Sequence, residues 1–136
     1  MLRIKIVIYS ILVISQAIAN NQQLSKKMGS HVSGERYKGS YKNGLKHGHG
    51  TWSHPDGDKY QGKFKSGLKR GNGVYTFKNG EEYRGHFKRD KQHGLGQYKY
   101  NNGEVFKGEF KNNIRNGQGF IVFRGDTITV SYTHLR

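Results

Sequence analysis

The stretch Tyr60-Gln61-Gly62-Lys63-Phe64-Lys65-Ser66-Gly67-Leu68-Lys69-Arg70-Gly71-Asn72-Gly73-Val74-Tyr75-Thr76-Phe77-Lys78-Asn79-Gly80 decides the fold. Tyr60-x-Gly62-x-Phe64 alternates with period two, and so does Gly71-x-Gly73-x-Tyr75-x-Phe77. Each half therefore reads as a strand with one apolar face. Ser66-Gly67, inside Lys65 to Arg70, supplies the turn between them. Lys78-Asn79-Gly80 leads into the next strand, and Asn-Gly is the favoured pair for a tight two-residue connection. The unit is a β-hairpin.

The same unit recurs with a step of 23 residues. Tyr37, Tyr60, Tyr83 and Phe106 keep that step, as do Gly39, Gly62, Gly85 and Gly108, and Tyr41, Phe64, Phe87 and Phe110. Gly48, Gly71, Gly94 and Gly117 follow it too, each with a partner two residues on: Gly50, Gly73, Gly96 and Gly119. Gly34, Gly57, Gly80 and Gly103 form a further column, and Gly44 and Gly67 a fifth. Only Gly29 and Gly125, of 20 glycines, lie outside this register. Successive hairpins are expected side by side in one antiparallel sheet.

Glycine inside a strand normally weakens it, unless another group must approach the backbone closely. Here it alternates with aromatics, so a ring from a neighbouring strand can lie over bare backbone. Burying such a ring stabilises by roughly 1.5–3 kcal/mol, whereas ordering each residue costs on the order of 1.5 kcal/mol. A lone hairpin cannot meet that cost. Stability must come from stacking on neighbours, as in other quasi-one-dimensional arrays.

Composition narrows the function classes. The chain has 136 residues, 32% of them hydrophobic, one proline and no cysteine. That excludes a disulfide scaffold, a thiolate metal site and a cysteine nucleophile. The formal net charge of +15 predicts attraction to phosphates, membrane surfaces or acidic proteins.

The pattern Tyr-x-Gly-x-(Tyr/Phe)-x-x-Gly, then Gly-x-Gly-x-(Trp/Tyr) with an Asn-Gly or Asp-Gly turn, resembles the MORN repeat. Four units run over about 37–59, 60–82, 83–105 and 106–126. The resemblance implies an all-β fold: an elongated single-layer antiparallel sheet of stacked hairpins. It also implies roles in membrane or phosphoinositide contact, dimerisation or scaffolding. Asp90 and Asn113 depart from the glycine column of Gly44 and Gly67, and Ile121 replaces an aromatic. Asn and Asp tolerate left-handed turn geometry best after glycine, so the turns are expected to survive.

The ends read differently. Arg3 and Lys5, an apolar run from Ile6 to Ile14 and Ala17-Ile18-Ala19 predict a secretory signal peptide over residues 1–19, cleaved before Asn20. Localisation is therefore expected in the secretory pathway or outside the cell, with a cytoplasmic membrane face as the alternative. Residues 20–33 read as a flexible polar leader. Residues 127–136 leave the pattern, since Thr129, Ser131 and Thr133 stand where aromatic, glycine and aromatic would recur. Thr127 to Tyr132 is strand-like and could cap the array. Val130 to Arg136 resembles translated adaptor sequence, and the natural chain is expected to continue differently.

Strand alternation places Lys42, Lys65, Lys88 and Lys111 in one column opposite the aromatics, about 10 Å apart. Lys38, Lys63, Arg84 and Lys107 thicken that face. One reading is a basic ladder for anionic phospholipid, a polyanion or an acidic protein. The other is a solvated face that keeps a flat sheet from aggregating. Nucleic acid is a weaker partner, because no nucleic-acid module accompanies the charge. His47, His49 and His54 do not recur as a converging ligand set, so no metal is expected. The Gly-x-Gly pairs lead into strands and not helices, which argues against phosphate loops. Asp56, Glu81, Glu82 and Glu104 sit beside connecting turns, where solvent is expected to keep them ordinary. No nucleophile with base and orienting group assembles, so neither catalysis nor a cofactor is expected. Three functions remain open: an anionic-surface module, a protein scaffold or homodimer, and the regulatory segment of a larger enzyme. The resemblance supplies the last, since such repeats accompany phosphatidylinositol phosphate kinase and methyltransferase domains.

Overall fold

The computed structural model describes residues 34–132; the expected signal peptide at 1–19, the expected polar leader at 20–33 and the last four residues lie outside the described part. Nine strands follow one another: β1 Arg36–Lys42, β2 Leu45–Ser53, β3 Lys59–Lys65, β4 Leu68–Thr76, β5 Glu82–Lys88, β6 Lys91–Lys99, β7 Val105–Lys111, β8 Ile114–Phe123 and β9 Asp126–Tyr132. They form one antiparallel sheet in strict sequence order, β1 to β9, with no helix among the described residues. The expected all-β single layer of consecutive hairpins is what forms. The tail joins it: β9 pairs with β8, matching Ile128 to Ile121 and Val130 to Gly119.

The glycine columns are explained by ring stacking, with one correction. Each ring lies over the glycine two residues on in its own strand, as well as over one in the neighbouring strand. Gly62 and Gly73 are paired across β3 and β4, and the Tyr60 ring covers both. A Cβ on Gly73 would overlap that ring, and one on Gly62 would stand 2.7 Å from Gly73 Cα. The other repeats copy this arrangement. Tyr37 covers Gly39 and Gly50, Tyr83 covers Gly85 and Gly96, and Phe106 covers Gly108 and Gly119. For Gly50, Gly96 and Gly119 the expectation of a ring from a neighbouring strand holds; for Gly39, Gly85 and Gly108 the ring comes from the same strand. The tyrosine hydroxyls then donate to backbone carbonyls three residues on: Tyr37 to Ser40 (3.1 Å), Tyr60 to Lys63 (3.0 Å) and Tyr83 to His86 (2.9 Å).

Between these flat rings stand Phe64, Phe87 and Phe110, edge-on. Centroid distances run 5.0 Å from Tyr37 to Phe64, 5.1 Å to Tyr60, 5.0 Å to Phe87, 5.1 Å to Tyr83 and 4.9 Å to Phe110. Edge-to-face contact suits the ring quadrupole and adds to the burial of area. The core is thus a zigzag one ring wide, and Tyr60, Tyr83 and Phe106 are fully buried in it.

Two turn types alternate as far as β8, after which a further two-residue turn, Arg124-Gly125, leads into β9. Asn43-Gly44, Ser66-Gly67, Arg89-Asp90 and Asn112-Asn113 are two-residue turns with both residues at positive φ. This geometry matches the right-handed twist of the flanking strands. Asp90 (φ 69°) and Asn113 (φ 70°) hold it as the glycines do. The Asn79-Gly80 expectation is corrected: Gly80 N donates to Phe77 O and Phe77 N to Glu81 O, a wider loop around Lys78-Asn79-Gly80. Only Gly80 (φ 90°) is left-handed there, as in a type I turn with a glycine bulge.

Asp90 and Asn113 also do what glycine cannot. Asp90 Oδ1 accepts from Lys69 N (2.8 Å), and Asn113 Oδ1 accepts from Gln92 N (2.8 Å). Each turn thereby docks on the preceding hairpin, reinforcing the backbone bonds Asp90 N to Lys69 O and Asn113 N to Gln92 O. At Gly67 only the backbone bond to Lys46 O is made.

Asn113→Gly is expected to lower the melting temperature, by about 1 kcal/mol of stability from the lost bond to Gln92 N. Phe87→Ala is expected to cost about 3–5 kcal/mol and to split thermal unfolding into two transitions by calorimetry, because it cuts the ring chain in the middle.

Candidate functional site

The basic face follows from alternation along the odd strands. In β3, Tyr60, Gly62 and Phe64 are buried while Lys59, Gln61, Lys63 and Lys65 are exposed. Lys42, Lys65, Lys88 and Lys111 each end an odd strand, and all four are exposed. Lys38, Arg84 and Lys107 are exposed two rows further in, and the Arg84 guanidinium lies 3.2 Å from Glu82 Oε1. Lys63 occupies the row between, aligned with Ser40, His86 and Glu109.

A distortion of the even strands converts part of this face into a hollow. Gly39 pairs with Gly50 and Tyr41 with Lys46, so His47, Gly48 and His49 together oppose Ser40. Gly48 takes φ 69° to permit the bulge, as Gly71 (70°), Gly94 (71°) and Gly117 (69°) do later. Beside the first bulge lies a hollow of about 530 Å3, whose lining includes Lys42, His47, His49, Lys63, Lys65 and Arg70. No carboxylate lines it. Lys42, Lys63 and Lys65 were candidates from sequence; Arg70 and the two histidines were not. Lys88 and Lys111 sit further along the array. At the positions 46 residues on from His49, Lys63 and Arg70 stand Leu95, Glu109 and Asn116, so the cationic character fades along the chain.

The other face carries positive charge differently. Lys46 Nζ stands 5.5 Å from the Tyr37 ring centroid, and Lys69 Nζ lies 5.0 Å from Tyr75 and 5.1 Å from Trp52. The Arg115 guanidinium stacks 4.7 Å from Phe106. Burial lowers the affinity of both lysines for their protons, with Glu35 and Asp90 acting against it. These cations close over the ring chain and belong to the core.

The expectation that solvent keeps the acidic residues ordinary is corrected for Glu81 and Asp56. Glu35, Asp58, Glu81 and Glu104 share a 23-residue column, a signal present in the sequence. Trp52 donates to Glu35 (3.1 Å), Tyr75 to Asp58 (2.7 Å) and Tyr98 to Glu81 (2.8 Å). The Tyr98 hydroxyl pulls the Glu81 carboxyl below its usual range, and the backbone N–H of Asp58 does the same to Asp56. Ile121 offers no such donor where a fourth aromatic would stand. Among the described residues no three or more His, Asp or Glu converge as a metal site would require.

The geometry defines a class: a single-layer array of hairpin repeats. The family model for the MORN repeat matches residues 37–59, 60–82, 83–105 and 106–126, and the chain belongs to that family. A comparison with curated proteins returns no match.

Burial pushes the Tyr83 hydroxyl up to about 12 and raises Tyr60, Tyr75 and Tyr98 further. Unfolded, these phenols ionise near 10.0, so the fold gains from holding them neutral. A raised folded value means that this stabilisation is complete below pH 10 and is lost as the pH climbs towards 12. Circular dichroism is expected to show alkaline unfolding in that window, with the buried tyrosines' share of the tyrosinate absorbance rising together with it.

Proposed function

We propose that this chain is a non-catalytic binding module that holds an anionic membrane surface through its lysine-rich face. The observation that carries the reading is the hollow shared by Lys42, Lys63, Lys65 and Arg70, with no carboxylate in its lining. Like charges brought this close repel, and an anionic partner relieves that repulsion. The exposed ladder of Lys88 and Lys111 extends the attraction along the array. A repeating charge of this kind suits a surface with many phosphates better than one small ligand. The signal peptide expected at residues 1–19 would deliver the module to a lumenal or outer surface.

A second reading has its own support. β1 has an unpaired outer edge in the described sheet, and such an edge can accept a strand from another chain or a second copy.

Binding to phosphatidylserine-containing vesicles is expected to fall steeply with salt. It is expected to vanish when Lys42, Lys65, Lys88 and Lys111 are all changed to Glu, as measured by vesicle sedimentation. A salt-insensitive dimer by light scattering, with no vesicle binding, would favour the protein partner instead.

A further inference from the structure

The two long sides of the sheet are chemically unlike. The two-residue turns joining odd strands to even ones all fall on one side; on the other fall the wider loops joining β2 to β3, β4 to β5 and β6 to β7, and the two-residue turn Arg124-Gly125 joining β8 to β9. Glu35, Asp56, Asp58, Glu81, Glu82 and Glu104 gather on the loop side. Among the described residues the turns of the other side carry one carboxylate, Asp90, already bonded to Lys69 N, and Glu109 stands one row in from Lys111.

Apolar side chains interleave with the lysines on that turn side. Cross-strand pairing sets Lys42 opposite Leu45, Lys65 opposite Leu68, Lys88 opposite Lys91 and Lys111 opposite Ile114. Paired residues point to the same face of a sheet. Leu45, Leu68 and Ile114 are 48%, 39% and 58% exposed, although a buried zigzag of rings lies just behind them. Leu45 leans towards the next turn, where a Cβ on Gly67 would meet its Cδ2 at 3.7 Å. At about 10 Å per repeat, four turns present this lysine and leucine rim over roughly 30 Å.

We propose that this rim is the part of the lysine-rich face that enters a lipid surface. The molecule then stands edge-on, with Leu45, Leu68 and Ile114 reaching the acyl boundary. Lys42, Lys65, Lys88, Lys91 and Lys111 extend alongside to headgroup phosphates, their stems apolar and their ends charged. Insertion is shallow, because the turn backbones need water or headgroups as partners. Edge-on placement also keeps the carboxylates of the loop side away from anionic lipid. A face-on molecule would hold Glu82 and Glu109 against the surface.

This rests on the membrane reading above, and the test separates the two. Wild-type protein, the triple variant Leu45→Ser/Leu68→Ser/Ile114→Ser and the quadruple lysine-to-glutamate variant are sedimented with phosphatidylserine-containing vesicles at low and high salt. The triple variant is expected to bind about thirtyfold more weakly, from the lost burial of three partly exposed side chains. Its remaining binding is expected to be fully reversed by salt. Separately, the indole of a Leu68→Trp variant is expected to shift to the blue and be quenched by brominated acyl chains, while Trp52 on the opposite face is not. A triple variant that binds like wild type, or an unquenched indole, overturns the edge-on proposal even when the lysine variant is inactive. Wild-type protein that ignores anionic vesicles overturns both readings.

Discussion

A tyrosine ring laid flat on two paired glycines is the contact on which this molecule depends. The ring needs bare backbone beneath it, and the two strands need a common register for both glycines to lie under one ring. Tyr60 over Gly62 and Gly73 therefore fixes pairing, spacing and face in one contact, and Tyr83 over Gly85 and Gly96 does so again one repeat later. The Tyr60 hydroxyl caps the Lys63 carbonyl, so the ring cannot slide along the strand without losing a hydrogen bond. Phe106 keeps the stacking over Gly108 and Gly119 without that cap.

Everything else is arranged around the resulting row. Phe64, Phe87 and Phe110 lock neighbouring repeats edge-on, and Lys46, Lys69 and Arg115 lie over the rings from above. Acidic residues are drawn to the same face, where Trp52, Tyr75 and Tyr98 hold Glu35, Asp58 and Glu81. Much of the negative charge is thus engaged near the core. The basic residues of the opposite face are left with few carboxylates to answer them, and the functional reading grows from that imbalance.

The hairpin array was legible because glycines and aromatics in a fixed period leave few alternatives. The lysine column was legible for the same reason, since odd strands alternate without interruption. Arg70, His47 and His49 were not, because the left-handed bulge at Gly48 and Gly71 makes three residues oppose one, and simple alternation does not register it. Asn79-Gly80 looked like the tightest turn, yet its width is set by the bonds of Phe77 to Gly80 and Glu81. Asp90 and Asn113 looked like lapses in a glycine column. Their value lies in donors 21 residues upstream, a distance that local reasoning does not reach.

The strict β1 to β9 order has a mechanical consequence. Every strand lies across the long direction of the array, so tension applied at the two ends loads each ladder from one margin. Its hydrogen bonds then part successively instead of sharing the load. Such an array is expected to yield at low force, one hairpin at a time.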